Sequence, residues 1–587
     1  MLSASKEKLL SFLNNSSQYI IPFFQRGYVW SNDNWSELWE NIVEEYRELK
    51  SGNVSEHFIG TIIIKQILST SVGASEYELI DGQQRLTTVC LLLRAFYDST
   101  EDESAKSWIK NFFVFTDSYG NQKIRILHSK VDREKFQDLI LNNEGNNILW
   151  DQVKDLKIDD FVKKIELSNN IEGAYLFFRR KINEDSIIED IRTYINIIIE
   201  KLPVIHMALN AEDDVQQIFD TINSLGVKLT TAELLKNHLF AKPIVQSYYE
   251  QYWFDIFECD DETIDFWTKD KTSGRVRRTT VELFLYSYLV IKKEATVKLE
   301  NLFKEFKNYL KNKNEDELIE FAKEIHDYAL IYRNIPDGDD LGDIAFNDDE
   351  KRFFLLMREF EITTLFPVLL YIYKEVEDKG ERIDILKIFE SYITRRTICR
   401  LTTKNYNNLF LSLLGKLKEL ESINAFEIDN ILKSFKEDTN RFPNDDEFKE
   451  KFGDARLSNK YSRTVLFPIA LYQLNHGYVD NHNLSLQSFS VEHMMPKNWK
   501  KHWSVLPEGI TEDFRKHKLL TLGNLTLIKG ALNSSMRDSA WENKKEVLQQ
   551  YSTLKITTNY LVENWNEDEI KKREIDLRTL AMKIWQY

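Results

Sequence analysis

Val491-Glu492-His493-Met494-Met495-Pro496, then Leu522-Gly523-Asn524-Leu525-Thr526-Leu527, then Leu532-Asn533, then Trp541-Glu542-Asn543-Lys544-Lys545 form the stretch on which the reading of this chain turns. A strand-like run from Leu484 to Val491 delivers an adjacent carboxylate and imidazole. A second apolar strand carries Asn524 at its start, and a helix-like segment then supplies another Asn and two lysines. Two strands followed by a helix, with those side chains at their ends, point to hydrolytic chemistry rather than to a packing motif.

Phosphodiester hydrolysis needs a base to activate water, a hard cation on the phosphate oxygens and cationic groups for the backbone. His493 suits the base. Glu492 and the amide oxygen of Asn533 suit a single Mg²⁺ (or Mn²⁺), which prefers oxygen ligands and keeps several waters. Asn524 is expected to fix the imidazole tautomer by hydrogen bonding. Lys544 and Lys545 are expected to meet DNA phosphate. A lone Glu-His pair is far more often a surface pair, and the ordered set of four elements is what favours catalysis.

Glu492-His493, the Leu-Gly-Asn-Leu run and Asn533 followed by Lys544 resemble the ββα-metal, HNH-type nuclease domain at the C-terminus of the GmrSD family of modification-dependent (type IV) restriction proteins. The resemblance implies that Glu492 and Asn533 hold the metal, that His493 is the base and that Asn524 orients it.

The 587 residues exceed one core and suggest three or four domains. With 42% hydrophobic residues and only 19 Gly and 9 Pro, the chain is expected to be helix-rich with little disorder. A net charge of −16 excludes a blanket nucleic-acid coat, so any DNA contact must be local. From His493 to Lys545 the sign reverses, with ten Lys or Arg against five Asp or Glu. Three widely spaced cysteines, Cys90, Cys259 and Cys399, suit a reducing cytoplasm and offer no disulfide framework or zinc site. Neither a signal peptide at Met1–Gln18 nor a membrane span is expected.

Upstream, Ser31 or Asn32 is placed to cap a helix whose Trp35, Leu38, Trp39, Ile42, Val43 and Tyr46 share one face. Phe58–Ile67 and Tyr77–Ile80 read as strands and Leu86–Tyr97 as a helix. Between strand and helix lies Asp81-Gly82-Gln83-Gln84-Arg85. A helix N-terminus there favours phosphate, and Gly82 allows close backbone approach. A plain turn with a surface Arg is the competing reading. No Walker A loop occurs.

Phe24-Gln25-Arg26 with Tyr28 and Trp30, Phe58-Ile59-Gly60, the Asp-Gly-Gln-Gln-Arg pentad, and Phe219–Asn223 through Gly226, Leu229 and Thr230 to Asn237 resemble the N-terminal domain of the same family, which is similar in fold to ParB-like nucleotide-binding domains. The resemblance covers about residues 1–240 and implies a nucleotide-hydrolysing regulatory domain. Asp81 would be the metal- or water-positioning carboxylate, and Arg26 and Arg85 phosphate ligands. Gln25, Gln83 and Gln84 would line the nucleotide, a triphosphate of guanosine or adenosine.

The expected architecture is therefore α+β and helix-rich: a nucleotide-binding α/β domain over 1–240 with a helical insertion at about 100–200, a helical domain over 241–453, and an HNH-type domain over 454–587. In the middle, Lys271, Arg275, Arg277 and Arg278 form one basic cluster and Arg395, Arg396, Arg400 and Lys404 another. Each reads as a charged loop before it reads as a phosphate clamp. The acidic Asp337–Asp343 segment lacks the ligands of a calcium loop and reads as a solvated connector.

The function expected is a cytoplasmic, nucleotide-dependent endonuclease that senses modified double-stranded DNA, phage DNA above all, and cuts or nicks it, with homo-oligomerisation left open. The resemblance implies either glucosylated or hydroxymethylated cytosine, or host phosphorothioate marks as in the similar SspE proteins. Two alternatives stand beside it. One is a nucleotide-switched DNA-binding regulator with an inactive nuclease domain; the other is a toxin-like nuclease aimed at RNA.

Overall fold

The apolar stripe beginning at Trp35 sets the first unit of the computed structural model, which describes residues 3–587 apart from Phe24, Val54, 68–74, Ser118, Leu167, 185–189, 210–229, 274–275, 476–482 and 531–538. Helix α1 (Asn32–Lys50) starts where the Ser31 N–H donates to Asn34, and it buries Trp35, Leu38, Trp39 and Ile42 at helical spacing. The chain divides into one unit of Met1–Tyr249 with Glu258–Asp261 and another of Glu250–Phe257 with Glu262–Tyr587.

In the first unit β1 (Ser3–Lys8), β2 (Ser17–Ile20), β3 (Thr61–Gln66), β4 (Ser75–Asp81), β5 (Ile126–Leu127) and β6 (Pro203–Leu209) form a mixed sheet in the order β1-β6-β3-β4-β2-β5. β3 pairs antiparallel with β4 and parallel with β6, and β2 lies parallel to β4. Helix α2 (Gln83–Ser99) follows β4 and is buried from Leu86 to Phe96, with the helix Asn170–Glu184 packed along it. Apolar residues with no polar stripe mark such a helix as interior. The helices between 103 and 200 share one hydrophobic cluster with the sheet and α1.

The second unit is α-helical up to Asn475 apart from the β-hairpin Asp270–Ser273 with Val276–Thr279 and the short strand Asp343–Ile344, which pairs with Leu484–Ser485. Helix α3 (Lys379–Ile398) packs on Asp349–Glu359 and Ala425–Ser434. Helix α4 (Asn459–Asn475) then supports β7 (Phe489–His493), β8 (Leu525–Lys529) and the closing helix α6 (Glu567–Ile584); α5 (Trp541–Tyr551) lies between β8 and α6 in the chain. The predicted strand Leu484–Val491 is broken by a 3-10 turn at Leu486–Ser488, which moves β7 two residues on and makes His493 its last residue. Helix-rich α+β is thus the fold class.

Two expectations about charge are corrected here. Arg395 and Arg396 lie inside α3 and are fully buried, so they form neither the charged loop expected nor a phosphate clamp. Arg395 donates to the carbonyls of Trp585 and Pro443 and to Asp445; Arg396 donates to the carbonyls of Thr402, Thr439 and Arg441. They fasten the end of the chain and the 439–445 segment to α3. The acidic connector is not merely solvated either: Asp337 lies 2.7 Å from the Lys271 ammonium, which also faces Tyr332, and Leu341 is buried. In the cluster that Lys271 opens, Arg275 lies outside the described residues.

Candidate active sites

Gly82, at φ +97°, turns β4 into α2, so Asp81 closes the strand and Gln83, Gln84 and Arg85 form the first helical turn. A Cβ on Gly82 would stand 3.0 Å from the Thr61 carbonyl, and only glycine adopts this conformation without strain. Arg85 lies over Gly60 (φ +111°), donates to the Thr61 carbonyl at 2.7 Å and stands 3.6 Å from Asp81. A Cβ on Gly60 would sit 2.6 Å from Arg85 Nε, so glycine there is what lets the guanidinium lie flat on the strand. Asp81 and Arg85 both keep part of their surface open to solvent.

The glutamine amides bond to backbone around this turn. Gln25 is buried and donates to the Ile80 carbonyl at 2.6 Å. Gln84 donates to the Gly27 carbonyl and accepts from the N–H groups of Val29 and Trp30. Gln83 donates to the Arg26 carbonyl at 2.8 Å, while its buried Oε1 has no hydrogen-bond partner among the described residues. These amides hold the 25–30 segment against the start of α2. Gln25 and Gln84 therefore spend most of their hydrogen-bonding capacity on backbone. Asp132, which sequence reasoning does not single out as functional, completes the cradle by accepting the Tyr28 N–H at 2.6 Å.

His128, equally silent in the sequence, is buried beside it with Nε2 3.0 Å from Thr87 Oγ1; burial depresses its pKa to about 3, so it is neutral. What this frame presents is Arg26, half-exposed, whose guanidinium has no hydrogen bond or ion pair with the described residues. Thr230 caps Thr231–Leu239 through a capping box with Glu233. The Phe219–Asn223 stretch, Gly226, Leu229 and Phe24 fall outside the described residues.

At the other site β7 and β8 pair antiparallel, with Glu492 opposite Thr526 and His493 opposite Leu525. Strand alternation sends Glu492 inward, where it is 6% exposed, and leaves His493 partly open. Burial first, then the charges of Lys497 and Lys544, lower the His493 pKa to about 4. The imidazole is therefore neutral near pH 7, the form a general base requires.

Asn524 does not reach the ring. Its Oδ1 accepts from the Met495 N–H at 2.9 Å and from Trp565 Nε1 at 3.0 Å; its Nδ2 donates to the carbonyls of Met495 and Leu519. All four hydrogen-bonding positions of the amide are filled, so the expected bond to the imidazole is corrected. Asn524 acts on His493 through the backbone two residues on. Met494 and Met495 are core residues, packed with Trp499, Trp541 and Trp565. Arg573, fully buried and unmarked by any sequence motif, donates to the carbonyls of Leu522 and Gly523 and so fixes the turn that carries Asn524.

Lys544 is corrected as well. It is fully buried on α5; its ammonium pairs with Glu492 Oε1 and donates to the His493 carbonyl at 2.8 Å, so it offers no surface to DNA. Lys545, next to it, remains partly exposed, and Lys497 and Lys529 are exposed. Part of the local positive charge is neutralised internally: Arg515 is buried against Glu567, and Lys500 and Lys516 pair with Glu512. Asn533 lies outside the described residues. Among the described residues no three His, Cys, Asp or Glu side chains gather as a metal cluster, and no helix is long and apolar enough to cross a membrane.

A buried carboxylate and a partly open imidazole thus stand at the end of the β7–β8 pair, and the family comparison says in what kind of protein. Residues 9–240 match the GmrSD restriction endonuclease N-terminal domain and residues 442–580 the GmrSD restriction endonuclease C-terminal domain. Together these cover more than half of the chain, which belongs to the GmrSD family of restriction endonucleases. Its substrate is accordingly DNA. No curated protein matches the chain.

Proposed function

We propose that this endonuclease cuts or nicks modified or phage double-stranded DNA at the β7–β8 site, under the control of a nucleoside triphosphate held at the Asp81–Arg85 site. The observation that carries the catalytic half is the neutral His493 imidazole, next in the strand to the Glu492 carboxylate that pairs with Lys544. His493 takes the proton of the attacking water; the Asn524 amide and Arg573 keep the strand end that carries it in place. The donor set fits Mg²⁺, because a cation of that kind needs only one or two protein oxygens, and the Glu492 carboxylate supplies them. Glu492 and Asn533 would hold the ion, which when bound stabilises charge on the phosphate oxygens.

In the first unit Arg26 and Arg85 would bind the nucleotide phosphates, with Asp81 placing the attacking water or a metal. The support is the Arg26 guanidinium without a partner among the described residues, presented by a segment that five side-chain bonds from Gln83, Gln84 and Asp132 hold at the head of α2. Coupling of the two sites gives such a nuclease a reason to spare host DNA, since cleavage then depends on a ligand-shifted state. The test is Mg²⁺-dependent cleavage of unmodified, glucosylated-cytosine and phosphorothioated DNA, with and without GTP or ATP. Cleavage that depends on one mark and one nucleotide names both; absence of cleavage of every DNA under every condition rejects the reading.

A further inference from the structure

The buried Lys544 allows a step beyond that reading, on which it rests for the metal role of Glu492. Lysine ammoniums seldom lie wholly inside a protein unless paired. This one bridges two consecutive residues of β7, the Glu492 carboxylate and the His493 carbonyl, from a helix that begins some fifty residues later in the chain. Its reach ties α5 to the strand end. Its charge stands against the same carboxylate that a divalent cation would use.

We propose that Lys544 is a positioning residue and the standing counter-cation of Glu492, and that it sets the divalent-metal affinity of the free protein low. A positive charge a few ångströms from a carboxylate cancels much of the field that draws a second cation there. The site then takes up metal firmly only when a DNA phosphate adds negative charge and further oxygen ligands, as Mg²⁺ sites commonly do. Such an arrangement keeps the cutting site weakly loaded until substrate arrives.

Removing the charge without the hydrogen bonds separates this from a merely structural role. Lys544→Gln retains a donor toward Glu492 and the His493 carbonyl, and Lys544→Arg retains the charge. Mn²⁺ binding to the full chain without DNA, followed by the electron paramagnetic resonance of free Mn²⁺, is compared for these, the wild type and Glu492→Gln. Lys544→Gln is expected to bind Mn²⁺ more tightly, on the order of tenfold, Lys544→Arg to bind as the wild type does, and Glu492→Gln to lose the site. Lys544→Met is the second neutral variant, and whichever of the two keeps the wild-type melting temperature decides. A neutral variant that binds Mn²⁺ no more tightly than the wild type, while Glu492→Gln loses it, overturns the proposal alone. Unchanged binding by Glu492→Gln overturns the metal reading of Glu492 and the proposal with it.

Discussion

Asn524 grips Met495 through both ends of its amide, accepting from the Met495 N–H at 2.9 Å and donating to the Met495 carbonyl at 2.8 Å. A carboxylate could keep the accepted bond but not the bonds that the amide donates to the carbonyls of Met495 and Leu519. Asn524→Asp places a buried carboxylate against the carbonyls of Met495 and Leu519. We expect a loss of about 3 kcal/mol or more in denaturant unfolding and loss of cleavage, whereas a mutant as stable as the wild type would contradict the clamp.

Arg26 and Gln84 separate recognition from framing. Arg26→Ala removes a guanidinium without a partner among the described residues, so melting should be unchanged while nucleotide binding falls. Gln84→Ala removes three bonds to the 27–30 backbone and should cost about 1–3 kcal/mol of stability. Isothermal titration with GTP and ATP beside thermal melts checks both; equal effects on stability would contradict the assignment.

His128 makes stability depend on acid. Burial lowers its folded pKa to about 3 from an ordinary 6.5, so the unfolded chain takes up more protons below pH 6.5. The contribution is fully present above pH 6.5 and is lost as pH falls toward 3, by about 3 kcal/mol at pH 4. Asp132, whose carboxyl pKa burial raises, contributes with the opposite sign, so the comparison is made with His128→Gln. That variant should lose the pH dependence between 6.5 and 4; retention of the full dependence would place its origin elsewhere.

The α1 stripe, the break at Gly82 and the hairpin bearing Glu492 and His493 are legible in the sequence, because they follow from periodicity and from the local demands of glycine and asparagine. Whether a cation is inside or outside is not: Lys544 and Lys545 are adjacent letters, and only the packing of α5 on β7 buries the first. Arg395, Arg396 and Arg515 repeat the point, since most of their partners are carbonyls and acids that only the fold brings near. Gln84 resembles a ligand group in the sequence because its real partners, the N–H and C=O groups of 27–30, are the same in every sequence.

The exposed cations remain the candidates for DNA. Replacing Lys497, Lys529 and Lys545 by Ala should weaken binding to every duplex alike and flatten the dependence of log affinity on log salt by about 0.9 for each phosphate no longer neutralised. Stability should not change. Fluorescence anisotropy across a salt series checks this, and an unaltered slope would move the DNA path elsewhere.

Cleavage of a susceptible DNA with Mg²⁺ and nucleoside triphosphate by wild type, His493→Ala and Asp81→Ala is the most direct test of a two-site nuclease. His493→Ala should not cut, and Asp81→Ala should lose the response of cutting to nucleotide. Undiminished cutting by His493→Ala, or an intact nucleotide response in Asp81→Ala, would contradict it.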